Sequence, residues 1–222
     1  QPDAYAEQLT RRNPDGSLRV TGFLHSDPGW WPYLWGVMFG GQVWNGQDRI
    51  TLDTEEHLAA LQWIRSYSTK YGSTALKTFA SGFGNFASAQ SGFLSEKLAM
   101  VIHGDYIANY IQQFAPELRG SDNWGVAPIP RAGRHVDGDF AVVTSNVLVI
   151  PKGAEHPREA FEFMTFVQRQ HNLERLCKAQ HKSSPLAQIS EGFFEGHTNP
   201  HIRVFRELSV GAGATHAPRI TI

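Results

Sequence analysis

The sequence predicts an α/β fold, a mixed sheet flanked by helices, and three stretches carry that expectation. Leu98-Ala99-Met100-Val101-Ile102 is an unbroken apolar run of strand length, the kind buried on both faces of a sheet. It stops at His103-Gly104-Asp105-Tyr106, where a helical pattern resumes. Residues 53–72 place Ala60, Trp63, Ile64, Tyr67 and Tyr71 on one face at helical spacing. A third segment opens with Pro157, where a first helical residue belongs, and carries Ala160, Phe161, Met164 and Val167 as an apolar face. A strand that ends in glycine and feeds a helix is where open α/β sheets place their ligands.

Taken in order, residues 3–12 read as the end of a helix, broken by Asn13-Pro14-Asp15-Gly16. That turn lacks the alternating acidic residues of a calcium loop. Residues 18–24 form a strand. Pro28-Gly29-Trp30-Trp31-Pro32-Tyr33-Leu34-Trp35 follows, with a helix expected over 34–39 and Gly40-Gly41 leading to Trp44-Asn45. This stretch holds four of the chain's 6 tryptophans, a concentration that asks for a reason. Each ring buries roughly 150–250 Å² when covered. Rings set among prolines and glycines read either as core, wedged where a loop enters a helix, or as a rigid platform on which a sugar stacks.

Residues 49–52 are a short strand. Asp53 or Thr54 caps the next helix, with Glu55 and Glu56 well placed in its first turn, and Gly72 ends it. Trp63 on that stripe reads as core. Residues 79–86 are rich in glycine and phenylalanine and irregular, and 88–96 read as a short helix. After the apolar strand come a helix over 107–114 and a second strand, Trp124 to Pro130, stopped by proline. Residues 131–139 are a polar loop, 140–143 and 147–150 are strand-like, and helices follow from Pro157, over 173–180 and over 201–208.

Composition narrows the function. With 222 residues, 41% of them hydrophobic, the chain suits one large domain or two small ones. A net charge of −1 without a block of like charge excludes the basic footprint of a nucleic-acid or anionic-membrane protein. No apolar run approaches the ~20 residues of a membrane span. The single Cys177 excludes an internal disulfide framework and a cysteine zinc cluster. Gln1-Pro2-Asp3 has neither an initiator methionine nor a signal-like segment, so the chain reads as processed, trimmed or a fragment.

Few constellations carry chemistry. Asp137 and Asp139 are paired carboxylates in a loop, the residue type that hydrolyses glycosides. His197 and His201 are four apart, but Pro200 and the missing glutamate argue against a zinc helix. Gly82-Phe83-Gly84 lacks the third glycine and the lysine of a phosphate loop, and no nucleophile elbow is present. No cofactor or metal is expected. Asp105 and Tyr106 lie where the sheet opens: Asp105 either accepts from sugar hydroxyls or caps the helix that follows, and Tyr106 can stack.

Phe93-Leu94-Ser95-Glu96-Lys97-Leu98-Ala99-Met100, the apolar strand, Gly104-Asp105-Tyr106 and Gly125-Val126-Ala127-Pro128-Ile129-Pro130 resemble, in order and spacing, the extracellular solute-binding proteins of ABC importers. More narrowly, they resemble the sugar-binding group that includes maltose-binding protein. Val149-Ile150-Pro151-Lys152-Gly153, the helix after it and Gly40-Gly41 match as well. Glu96 stands where the family has glycine, and Tyr106 where it has tryptophan, a change that keeps a stacking ring but shrinks it. The resemblance implies a lobe of the type II periplasmic-binding fold, lacking most of the N-terminal lobe and a C-terminal helical segment. Residues 1–52 would be an inter-lobe segment and aromatic cleft wall, and 53–222 the incomplete C-terminal α/β lobe.

The same resemblance assigns Tyr106 to stacking on sugar, Trp30 with adjacent Trp31 to the cleft wall, and Asp139, Phe140 and Thr144 to the cleft. Asp105 would accept from hydroxyls, while Trp35 and Trp44 would be core. The implied function is capture of a carbohydrate or polyol, without catalysis, by a monomer that delivers it to a membrane permease. The implied location is periplasmic or extracellular, with a lipoprotein anchor on the full-length protein left open. The alternatives are a glycoside-processing enzyme using Asp137 or Asp139, and a lobe that mainly docks a permease.

Overall fold

The computed structural model describes residues 2–29, 32–130, 132 and 140–216. Helix α1 (Pro2–Leu9) leads into a short antiparallel pair, β1 (Arg11–Arg12) and β2 (Leu18–Val20). The turn between them is closed by Asp15, whose carboxylate accepts from the Ser17 amide at 2.9 Å. Helix α2 (Tyr33–Met38) then packs on α3 (Glu55–Tyr71), which is followed by α4 (Ser73–Ala80), an element the sequence reading missed. Thr54 takes the N-cap position of α3, but its hydroxyl serves His57 Nδ1 at 3.0 Å instead of a backbone amide. The buried His57 ring fills the notch between Gly36 and Gly41, where a Cβ on either would run into the imidazole. That notch lets α2 approach α3, and it explains the second glycine of the Gly40-Gly41 pair.

Two apolar clusters sit on either side of this junction. Leu18, Leu24, Tyr67, Leu76 and Leu98 form one. Leu34, Trp35, Met38, Ala60 and Phe140 form the other. Trp35 is core as expected, whereas Trp44 is half-buried. The expected strand at 49–52 amounts to one bridge, Ile50 to Trp44.

The apolar run 98–102 is not the two-faced strand its composition implies. It is extended chain joined to the Leu18–Val20 strand region by a single parallel bridge, with Thr21 donating to Lys97 O at 2.9 Å and Ala99 donating to Thr21 O at 3.0 Å. Beyond Leu98 the side chains turn to a cleft: Ala99 is exposed, and Met100, Val101 and Ile102 are half-buried. Composition cannot distinguish apolar residues facing a cleft from apolar residues under a helix. The stretch 88–96 is a series of turns instead of a helix, and Glu96 adopts a left-handed φ of 57°. This is the position where the resemblance expects glycine, and a side chain there is strained. Glu96→Gly is expected to raise the unfolding free energy by about 0.5–1 kcal/mol, read from the urea midpoint, once the extra freedom of the unfolded chain is subtracted.

Helix α5 (Ile107–Phe114) matches its expected bounds and is followed by a 3-10 turn, Pro116–Leu118. Ile107, Ile111, Leu94 and Ala115 bury its inner face. Residues 124–130 are extended, bridged to Phe140 through Ile129, and not a regular strand. β3 (Ala141–Val143) pairs in parallel with β4 (Ala214–His216) across more than seventy residues of sequence, which no local pattern announced. Residues 147–150 form no strand, and Val147 and Val149 are about three-quarters exposed.

α6 (Pro157–Gln168) begins at its proline as expected, but its apolar face is only partly covered: Ala160, Met164 and Val167 are half-buried, while Phe161 on that face and Phe163 and Phe166 off it are all more than half exposed, and the helix packs chiefly on α7 (Gln170–Ala179). Leu173 and Cys177 on α7 join Phe193 of α8 (Glu191–Phe194) and Ile202 of α9 (Ile202–Val210) in a last cluster. Among the described residues no helix is long and apolar enough to cross a membrane.

Candidate functional site

Segments drawn from along the whole described chain, from Asp3 of α1 to His216 of β4, border one open cleft of about 1380 Å³. This exceeds the roughly 300–1,000 Å³ of ordinary small-molecule sites, so it can hold more than one sugar ring. One wall is aromatic. Trp63 of α3 lies 5.3 Å from Trp35 and 5.4 Å from Tyr67, with Phe39 at 6.0 Å and Phe23 at 6.3 Å. Asp3 of α1 anchors this wall, accepting from Trp63 Nε1 at 3.1 Å and from the Tyr67 hydroxyl at 2.9 Å. Burial, reinforced by the Asp3 charge, pushes the Tyr67 phenol well above its usual range. Trp63 was expected to be simple core; it is half-buried and lines the cleft.

The facing wall begins where the apolar run ends. The half-buried Tyr106 ring folds back over Gly104, where a Cβ would collide with it, so the Gly-Asp-Tyr spacing is a packing requirement. Tyr106 lies 4.8 Å from His103 at an interplanar angle of 64° and 5.8 Å from Tyr110 at 83°, and the Lys182 ammonium sits over it at 5.6 Å. Burial, with smaller contributions from Tyr110 and Asp105, pushes the Tyr106 phenol up to about 12, so it acts as a neutral donor.

Asp105 settles one open question. Tyr106, not Asp105, takes the N-cap position of α5, and no side chain caps that helix. The Asp105 carboxylate instead accepts from the Ser183 amide at 2.6 Å, and its carbonyl accepts from the side chain of Asn199 at 2.9 Å. Asn199 is 1% exposed, so this contact is internal architecture. Asp105 therefore ties the end of the apolar run to two distant loops while lining the cleft.

Of the remaining expected residues, Thr144 is exposed on the cleft rim next to Ser145 and Asn146. Phe140 is 4% exposed among Leu34, Trp35 and Met38, so it forms floor beneath the cleft and offers no free face. Trp30, Trp31, Asp137 and Asp139 lie outside the described residues. Lys182, Ser183 and Trp63 were not foreseen. The partner an indole N–H needs was the one available hint for Trp63. Nothing local hints that Asp105 meets Ser183, seventy-eight positions further along the chain. Among the described residues no group of three or more His, Cys, Asp or Glu side chains is placed to hold a metal.

His103 carries a pH dependence. Desolvation lowers its imidazole to about 4, slightly countered by its Nδ1 bond to the Gly104 carbonyl at 3.1 Å. The unfolded chain takes up the proton near 6.5 while the folded chain resists it until about 4. Stability is therefore full above pH 6.5 and falls as pH drops to about 4, by up to about 3 kcal/mol from this residue. His181 and His197 are lowered by burial in the same sense. Urea midpoints between pH 7 and pH 4.5 should fall steeply, and His103→Phe should flatten that fall.

A sequence model described as bacterial extracellular solute-binding protein matches residues 3–192. The chain belongs to this family. Its solute-binding fold is similar to the solved structure of CpMnBP1 with mannobiose bound, at 24% identity and a TM-score of 0.82 over 98% of this chain and 53% of that one. It is also similar to CpMnBP1 with mannotriose bound, at 25% identity and a TM-score of 0.81 over 98% of this chain and 54% of that one. The chain thus spans about half the length of these solute-binding structures. No curated protein matches it.

Proposed function

We propose that this chain forms part of the ligand-binding component of an ABC importer, which captures a saccharide outside the cytoplasm and hands it to a membrane permease. The observation that carries this reading is the cleft: an aromatic wall faces a tyrosine-bearing wall with convergent polar groups, in a solute-binding fold. Flat apolar sugar faces stack on such rings while their hydroxyls reach Asp105, Thr144 and Asn146. The fold's similarity to structures holding mannobiose and mannotriose favours oligosaccharides of two or three rings. The family is one of binding proteins, which favours capture over the glycosidase reading.

In this reading Tyr106 stacks on the ligand, Asp105 and Thr144 accept or donate at its hydroxyls, and Phe140 supports the floor. Trp30, Trp31 and Asp139 add contacts by family resemblance. Residues 1–52 act as an inter-lobe segment that brings Phe23, Trp35 and Phe39 to the aromatic wall, and 53–222 as the C-terminal α/β lobe, whose Trp63 and Tyr67 complete that wall. The protein works as a monomer at the outer face of the membrane, periplasmic or extracellular, with permease contacts and any lipid anchor outside the cleft.

Titration with mannobiose and mannotriose tests the reading. Saturable change in tryptophan emission and a rise in melting temperature are expected, with both responses weakened in Tyr106→Ala. A folded protein that responds to neither sugar would sink it.

A further inference from the structure

Lys182 carries a charge on the cleft wall that no carboxylate pairs with directly among the described residues. Its ammonium lies 5.6 Å from the Tyr106 ring centroid and makes no ion pair among the described residues. The acid of the same wall, Asp105, directs its Oδ2 to the Ser183 amide instead.

The placement is built into the backbone. Helix α7 ends in a Schellman closure: the His181 amide donates to Lys178 O at 3.1 Å and the Lys182 amide donates to Cys177 O at 2.9 Å, with His181 in the left-handed region at φ 57°. A non-glycine residue is strained there. Asp105 then pins the next residue, Ser183. The chain is held on both sides of Lys182, although its side chain contributes no hydrogen bond to the fold.

A second cation reinforces the sign of this wall. Arg206 of α9 lines the same cleft, and its guanidinium donates to the carbonyls of Ala187 at 3.0 Å and Ser184 at 3.5 Å, with no carboxylate paired to it among the described residues. The cleft's other described acid, Asp3, is engaged by Trp63 and Tyr67. A neutral sugar stacked at Tyr106 would strip water from the Lys182 ammonium without returning a counter-charge. A carboxylate on that sugar would return one through a charge-assisted hydrogen bond.

We infer that the cleft selects an acidic saccharide, with a uronic acid ring beside Tyr106 and its carboxylate on Lys182. The inference rests on the saccharide-capture reading and names its ligand class. Calorimetric titration of the protein with mannobiose and with the corresponding mannuronate disaccharide tests it, since the two differ only in a hydroxymethyl or a carboxylate at C6. The acidic disaccharide should bind at least about tenfold more tightly at low salt, and this advantage should shrink as ionic strength rises. Lys182→Gln, with its fold checked by circular dichroism, should bring the ratio of the two affinities close to one, and Lys182→Arg should restore most of it. Equal affinities in the wild type, or a ratio that Lys182→Gln leaves unchanged, would overturn the inference while saccharide capture stood. Failure of both disaccharides to bind would overturn both.

Discussion

Trp35→Ala is expected to lower the unfolding free energy by about 3–5 kcal/mol, the range for removing a large buried aromatic. The ring is 4% exposed and belongs to the cluster with Leu34, Met38, Ala60 and Phe140. It also meets Phe23 edge-on at 6.2 Å and Trp63 at 5.3 Å, so the same truncation removes the backing of the aromatic cleft wall. The cavity cannot close easily, because α2 is already seated against α3 through the His57 notch. Urea denaturation followed by circular dichroism measures the loss. A cost under about 1 kcal/mol would mean that Trp35 is not the joint between core and wall.

Asp105→Ala should act on the other wall. It leaves the Ser183 amide without its charged acceptor, at a cost of about 1.5–3 kcal/mol. It also releases the loop that places Lys182 over Tyr106, so saccharide affinity should fall by tenfold or more. Asp105→Asn keeps a side-chain acceptor for that amide and should recover most of the stability, since the backbone carbonyl that accepts from Asn199 is present in both variants. The pair of variants distinguishes the two jobs of this residue. If Asp105→Ala were as stable as the wild type and Ser183 stayed ordered, the carboxylate would be a ligand contact without a structural role.

Much of the helical content was legible because it rests on local chemistry. Pro157 at a first helical position, Gly72 after Tyr71 and the spacing of Ala60, Ile64 and Tyr67 each act within a turn or two. The family was legible as well, because its motifs are short, ordered along the chain and spaced by the elements they join. Sheet structure was harder to read. The run 98–102 has the composition of a central strand, yet it makes one bridge and then spends its apolar side chains on a cleft. Helix α6 has the periodicity of a core helix, yet its phenylalanines stay exposed because its packing is chiefly against α7.

The site divides in the same way. Asp105 and Tyr106 stood out because a glycine-terminated apolar run meets a helix there, and that junction is a property of neighbouring residues. What each residue does was decided at long range. Asp105 might have capped α5, but an amide seventy-eight residues away captured its carboxylate. Trp63 looked like core, but Asp3 took its indole N–H and left the ring on the cleft wall. By itself, the sequence determined the family, most of the longer helices and the place along the chain where the cleft opens, since all three are encoded in local spacing. Which side chains face that cleft, and that a lysine stands over its tyrosine, depended on which distant backbone groups were free to be bonded, and that is known only once the chain has folded.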